Sequence, residues 1–146
     1  MINSEDDVRA WVREASGGKA RWVEPAMGST PGLPDCWVPW GEYQVHLELK
    51  AGAVVNIRGR SFLRYEVRPE QRREIRVGLM DKVRIGLLIG VKGTNSCVFA
   101  LPSDHALAGK IDMSDKVDQR RIMAMDNRSG QFWDGVEFVG RGCFAC

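Results

Sequence analysis

Apolar and polar residues follow two different rhythms along this chain. Near the start, Val8, Trp11, Val12 and Ala15 recur at helical spacing. Ser4 precedes them as an N-cap, and Glu5, Asp6 and Asp7 suit the positive end of a helix dipole. Gly17-Gly18 ends that helix. A short strand is expected over residues 20–24. Residues 25–34, rich in Gly, Ser, Thr and Pro, read as a loop. The rhythm then changes to a period of two. Cys36–Trp40 and residues 43–50 read as strands joined by Gly41-Glu42, a hairpin.

Residues 51–64, with Gly52, Gly59 and scattered arginines, read as a long mobile connection. Pro69 stands where a helix begins, and residues 70–83 continue it. Residues 83–92 are almost continuously apolar, as in a strand buried on both faces. A turn at 93–95 and a strand at 97–101 follow. Pro102-Ser103-Asp104 caps a short helix. Beyond it the pattern predicts a helix over 114–125 and a strand over 131–139. The order α-β-β-β-α-β predicts a mixed α/β fold, with a central mixed sheet flanked by helices. Residues 1–102 read as its core, and residues 103–146 as a C-terminal extension packed on the same domain.

Composition narrows the class of protein. A chain of 146 residues, 44% apolar and 27% charged, suits one domain and excludes a disordered chain or a disulfide scaffold. The formal net charge of +2, from 21 Lys+Arg against 19 Asp+Glu, argues against a histone-like or coat protein. It leaves a nucleic-acid enzyme open, because there the placement of charge matters more than its sum. No apolar run approaches the ~20 residues of a membrane span. The acidic N-terminus lacks the basic-then-apolar order of a secretory signal. A cytoplasmic chain with no membrane partner is therefore expected, and Cys36, Cys97, Cys143 and Cys146 fit a reducing compartment. Cys143 and Cys146 have no second ligand pair or helix start beside them and read as tail cysteines.

The candidate chemistry lies on the hairpin. Strand alternation puts Val45, Leu47 and Leu49 on one face and His46, Glu48 and Lys50 on the other. Asp35 begins the preceding strand, and in a hairpin that position approaches Glu48 and Lys50. Two carboxylates brought together repel unless a cation lies between them. Hard oxygen ligands of this kind suit Mg²⁺ or Mn²⁺. A neighbouring lysine can help deprotonate an attacking water and stabilise charge growing on a phosphate. Two carboxylates and a lysine thus make a minimal phosphodiesterase site. His46 reads as a hydrogen-bonded edge residue. His105 has no evident partner, and the two histidines are not a zinc pair.

Pro34-Asp35, twelve intervening residues and Glu48-Leu49-Lys50 resemble the signature of the PD-(D/E)XK nuclease superfamily. Gly32-Leu33-Pro34-Asp35 is similar to the G-x-P-D of its VRR-NUC and Holliday-junction-resolvase-like branch, and Gln71 opens the next helix, as a glutamine does there. The chain departs from the pattern at Lys82-Val83-Arg84, where a glycine break is usual. The resemblance spans residues 4–101. It implies a restriction-endonuclease-like core and a Mg²⁺- or Mn²⁺-dependent deoxyribonuclease leaving 5′-phosphate ends. Asp35 and Glu48 would hold the metal, Lys50 would assist the water, and Gln71 would position Lys50, phosphate or water. The family places one more acidic residue on the first helix. Glu5 fits that place, with Glu14 as the competing choice. Ser29 stands where such members carry a serine near phosphate. Branched DNA, a Holliday junction included, and a homodimer are the partners implied.

Arg58, Arg60, Arg64, Arg68, Arg72, Arg73 and Arg76 stand within nineteen residues, offset by Glu66, Glu70 and Glu74. Phe62 and Tyr65 are interleaved. Arginines with aromatics can follow a phosphate backbone and stack on bases. Arg58, Arg60, Arg64 and Arg68 are therefore expected to contact DNA, while part of 70–76 is ordinary helix surface. Most of the five tryptophans serve core packing. The alternative reading is a non-catalytic nucleic-acid-binding or assembly module on the same fold.

Overall fold

The computed structural model describes residues 1–23, 33–126 and 130–142. The elements are α1 (Glu5–Ala15), β1 (Arg21–Trp22), β2 (Cys36–Trp40), β3 (Tyr43–Ile57), β4 (Arg60–Arg64) and α2 (Pro69–Met80). There follow β5 (Arg84–Val91), β6 (Ser96–Ala100), α3 (Asp104–Leu107), β7 (Lys110–Asp112), α4 (Lys116–Gln119), β8 (Ile122–Asp126) and α5 (Phe132–Gly142). The strands form one mixed sheet in the order β1-β2-β3-β5-β6-β8, with β4 paired to β3 and β7 to β4. The β3–β5 ladder is parallel and the other pairings are antiparallel. This is the mixed α/β architecture expected, open rather than closed into a barrel.

Helices cover both faces of the sheet. On one, Val8 and Val12 of α1 and Phe132, Val136 and Val139 of α5 pack on Val45, Leu47, Leu49, Leu88 and Phe99. On the other, Ile75 of α2 and Ala106 and Leu107 of α3 pack on Leu63, Leu87, Ile89 and Val98. The alternation of β5 divides its side chains between the two cores, Leu88 to the first and Ile85, Leu87 and Ile89 to the second. β5 is buried on both sides from Ile85 to Gly90, as a central parallel strand should be. Gly90 brings α1 close: a Cβ there would lie 2.5 Å from Cγ2 of Val8. The start of α1 is tied by the Asp7 carboxylate, which accepts the backbone N–H groups of Asn3 (2.8 Å) and Ser4 (3.2 Å).

Three expectations are corrected. Residues 51–64 are not a mobile connection. β3 runs on to Ile57 and returns as β4 through a two-residue turn, with Arg58 at φ 51° and Gly59 at φ 80°. Such a turn matches the natural twist of paired strands. The helix expected over 114–125 is only the single turn α4, after which β8 pairs with β6. The strand expected over 131–139 is the helix α5, burying Phe132, Gly135, Val136, Val139 and Gly140 at helical spacing. The extension after residue 102 thus adds β8 to the sheet and α5 to one of its faces. Among the described residues no helix is long and apolar enough to cross a membrane.

Candidate active site

The turn at Gly41-Glu42 sets the register of the β2–β3 hairpin. Cys36 lies opposite Leu47, so the next step of the ladder puts Asp35 opposite Glu48. Leu47 and Leu49 face the core under α1 and α5. By alternation Glu48 and Lys50 point toward α2. Both are almost completely buried, with relative exposures of 2% and 4%.

α2 supplies the third member. Pro69 at its first turn has no N–H to leave unpaired. Two residues on, Gln71 faces inward. Its Oε1 accepts both the backbone N–H of Arg68 at 3.0 Å and Nζ of Lys50 at 2.8 Å. Its Nε2 donates to Oε1 of Glu48 at 2.8 Å. Lys50 Nζ also lies 3.7 Å from that Glu48 oxygen. One glutamine therefore fixes a carboxylate and an ammonium together, while its own place is set by the helix start.

The other Glu48 oxygen, Oε2, is buried with no hydrogen-bond partner. A buried carboxylate oxygen left in this way is costly. The Glu48 carboxyl is pushed up to about 8, by burial first and then by the charge of Asp35, with Lys50 opposing the rise. A hydrogen bond from the protonated form to Asp35 also favours the proton, and the charge of Glu5 makes the smallest contribution. Asp35 marks the open side of the site, its side chain being one-quarter exposed. Its Oδ2 accepts the Leu49 N–H at 2.8 Å, and Oδ1 lies 3.3 Å from the Arg9 guanidinium. Burial lowers the pKa of His46, favouring the neutral ring.

The structure thus brings Asp35, Glu48, Lys50 and Gln71 together. Glu5 stands at the margin of the site, where its charge still acts weakly on Glu48. Glu5 is exposed on α1, whose core lies on the face of β3 opposite Gln71. It lines a cleft of about 400 Å³ with Ala51, Ala53, Arg64 and Lys92. Among the described residues no three His, Cys, Asp or Glu side chains converge as a ready ligand set. Ser29, Cys143 and Cys146 lie outside the described residues. Cys36 and Cys97 are free and buried, and burial pushes both thiols up to about 12.

Of the arginines expected to meet DNA, Arg58, Arg60, Arg64 and Arg68 are all exposed. Arg58 and Arg60 stand at the tip of the β3–β4 hairpin, and Arg68 at the start of α2. Arg60 and Arg64 share a strand face with Phe62, over which Lys110 sits at 4.4 Å. Two of the four have acidic neighbours: Asp112 is 3.1 Å from Arg60, and Glu70 is 4.0 Å from Arg68. Sequence reasoning missed Arg9, which shares the α1 surface with several charged residues and carries no motif. Its signal is spatial, its contact with Asp35.

No family model matches the chain, and searches of curated proteins and of solved structures find no match.

Proposed function

We propose that this chain is a metal-dependent DNA endonuclease of the PD-(D/E)XK kind, acting on branched DNA. The observation that carries this reading is Glu48 Oε2, a buried carboxylate oxygen without a partner beside a second carboxylate. Asp35 and Glu48 offer hard oxygen donors of the kind that suit Mg²⁺ or Mn²⁺, and a cation there would satisfy the orphaned oxygen. When bound, such an ion lowers the pKa of a coordinated water and polarises a phosphoryl oxygen.

The chain's own residues do the rest. Glu48 would hold the ion as a carboxylate, its proton released to solvent, while Gln71 Nε2 keeps its other oxygen in place. Lys50 is held ready by Gln71 to stabilise negative charge on the phosphate or to orient the attacking water. Asp35 keeps its orientation through the Leu49 N–H. The exposed face bearing Arg60, Phe62 and Arg64, together with Lys110, suits a phosphate backbone with accessible bases. Paired nicks across a four-way junction would take two copies of the chain, so a homodimer belongs to the same proposal.

The test is cleavage of four-way, flapped and linear DNA by purified protein, with Mg²⁺ and with EDTA. Asp35→Ala and Glu48→Ala should each reduce cleavage on the order of 10²–10³-fold or more. Undiminished cutting by either variant removes the site assignment. DNA retention with no metal-dependent cleavage favours the binding-module reading instead.

A further inference from the structure

Among the described residues, Arg9 is the charged side chain bonded to Asp35 that the proposed chemistry leaves unused. It reaches round the sheet edge from α1, and its guanidinium lies 3.3 Å from Asp35 Oδ1. Its plane rests over Trp22 at 4.7 Å. Trp22 pairs with Cys36, the residue after Asp35, so the stacking platform is built into the same edge. Arg13, one turn further along α1, stacks on the same ring at 4.9 Å. Two guanidiniums thus share one tryptophan, and Arg9 is the one bonded to Asp35.

The charges explain what this contact can do. With Asp35 and Glu48 ionised, Lys50 and Arg9 already balance them. A divalent ion held by Asp35 and Glu48 would add two positive charges beside the Arg9 guanidinium, which already bonds Asp35 Oδ1. Like charges that close repel strongly in a half-buried setting. Arg9 and the cation would therefore compete for Asp35.

We propose that Arg9 is a positioning residue that holds Asp35 while no divalent cation is bound and yields it when one binds. This rests on the metal-site reading of Asp35 and Glu48. The stack on Trp22 keeps the released guanidinium at the edge of the site, so the exchange costs little order elsewhere. In the metal-free site Arg9 thereby balances the charge of Asp35 and keeps its carboxylate in place.

Calorimetric titration of the full chain with Mn²⁺, without DNA, tests the exchange. Arg9→Gln should bind Mn²⁺ on the order of tenfold more tightly than the unaltered chain. Arg9→Lys, which keeps the charge, should stay near the unaltered affinity. Arg13→Gln removes an equal guanidinium from Trp22 without touching Asp35, and should change the affinity by less than about threefold. Equal or weaker binding by Arg9→Gln overturns the proposal, as does an equal gain in Arg13→Gln. Absence of Mn²⁺ binding in the unaltered chain and in Arg9→Gln alike overturns the metal site itself. Binding in Arg9→Gln alone supports the exchange in its strongest form.

Discussion

Two buried carboxylates in this molecule are built from similar parts and end differently. Asp118 on α4 is 2% exposed, as is Glu48 on β3. Each has a basic partner, His105 for Asp118 and Lys50 for Glu48. Around Asp118 the bonding is complete. Oδ2 accepts the Asp112 backbone N–H at 2.9 Å, and both oxygens lie within 3.1 Å of His105 Nδ1. Around Glu48 one oxygen is held by Gln71, and the other, once ionised, has no partner. Full satisfaction is what a structural carboxylate needs, since each missing bond in a dry place costs about 1–3 kcal/mol. An oxygen left without a partner next to a second carboxylate is a defect as structure and an asset as a ligand. The histidine, which lacked a partner in the sequence, has one because α3 and α4 both pack against β7.

The sharpest way to break this contrast is to neutralise each acid and compare the signs. Glu48→Gln should abolish cleavage and also stabilise the metal-free protein. Its folded-state carboxyl is raised to about 8 from an ordinary value near 4.5. Between those values the folded state binds the extra proton, so stability falls as pH rises. Below about 4.5 both states are protonated and the penalty vanishes. Above about 8 it is complete. The glutamine escapes the penalty and offers an N–H to Asp35, while Lys50 loses a nearby anion and offsets part of the gain. The expected difference is about 1–3 kcal/mol in favour of the variant at pH 9, shrinking toward zero or below at pH 5. Urea unfolding with EDTA at both pH values measures it. A variant less stable than the unaltered chain at pH 9 would sink the account of Glu48.

Asp118→Ala should act in the opposite direction. It strands the Asp112 N–H and removes the anchor between β7, α3 and α4, for a loss of about 2–3 kcal/mol. The loss should be the same with and without Mg²⁺, because this cluster is remote from the β2–β3 hairpin. Thermal unfolding in both conditions checks the pair of expectations. A loss that Mg²⁺ largely restores would mean that the two clusters are coupled.

The legibility of the sequence follows the same division between what is buried on one side and what is not. The β2–β3 hairpin could be read because Val45, Leu47 and Leu49 are core while their alternates are polar, and the short turn left one register. The hairpin alone brought Asp35 near Glu48 and Lys50, and the observed register sets it opposite Glu48. The distal half of β3 could not be read. Ala53, Val54, Asn56 and Ile57 are all exposed, so no alternation marks the strand. Their pairing with β4 is held by backbone bonds, which carry no side-chain signature. α5 was hidden for another reason. Two of its buried positions are Gly135 and Gly140, where a side chain would collide with Phe99 and Trp40. Glycines count as breaks in a pattern of apolar residues, so a five-position helical stripe shrank to three. Arg9 and Glu5 share α1, but only the folded sheet edge determines that the arginine, rather than the acid, meets Asp35.

The smallest expected effect probes the exposed half of the structural cluster. His105 is 65% exposed, so its contact with Asp118 lies mostly in water and is screened. His105→Ala leaves Asp118 with the Asp112 N–H and opens its other oxygen to solvent rather than to a dry pocket. The cost should therefore be no more than about 1 kcal/mol, visible as a shift in the urea midpoint without a change in slope. A loss as large as that of Asp118→Ala would mean that the imidazole, and not the backbone N–H, is the principal partner. Satisfaction of Asp118 would then depend on an exposed side chain rather than on the backbone, and the cluster would resemble the Glu48 site more than it differs from it.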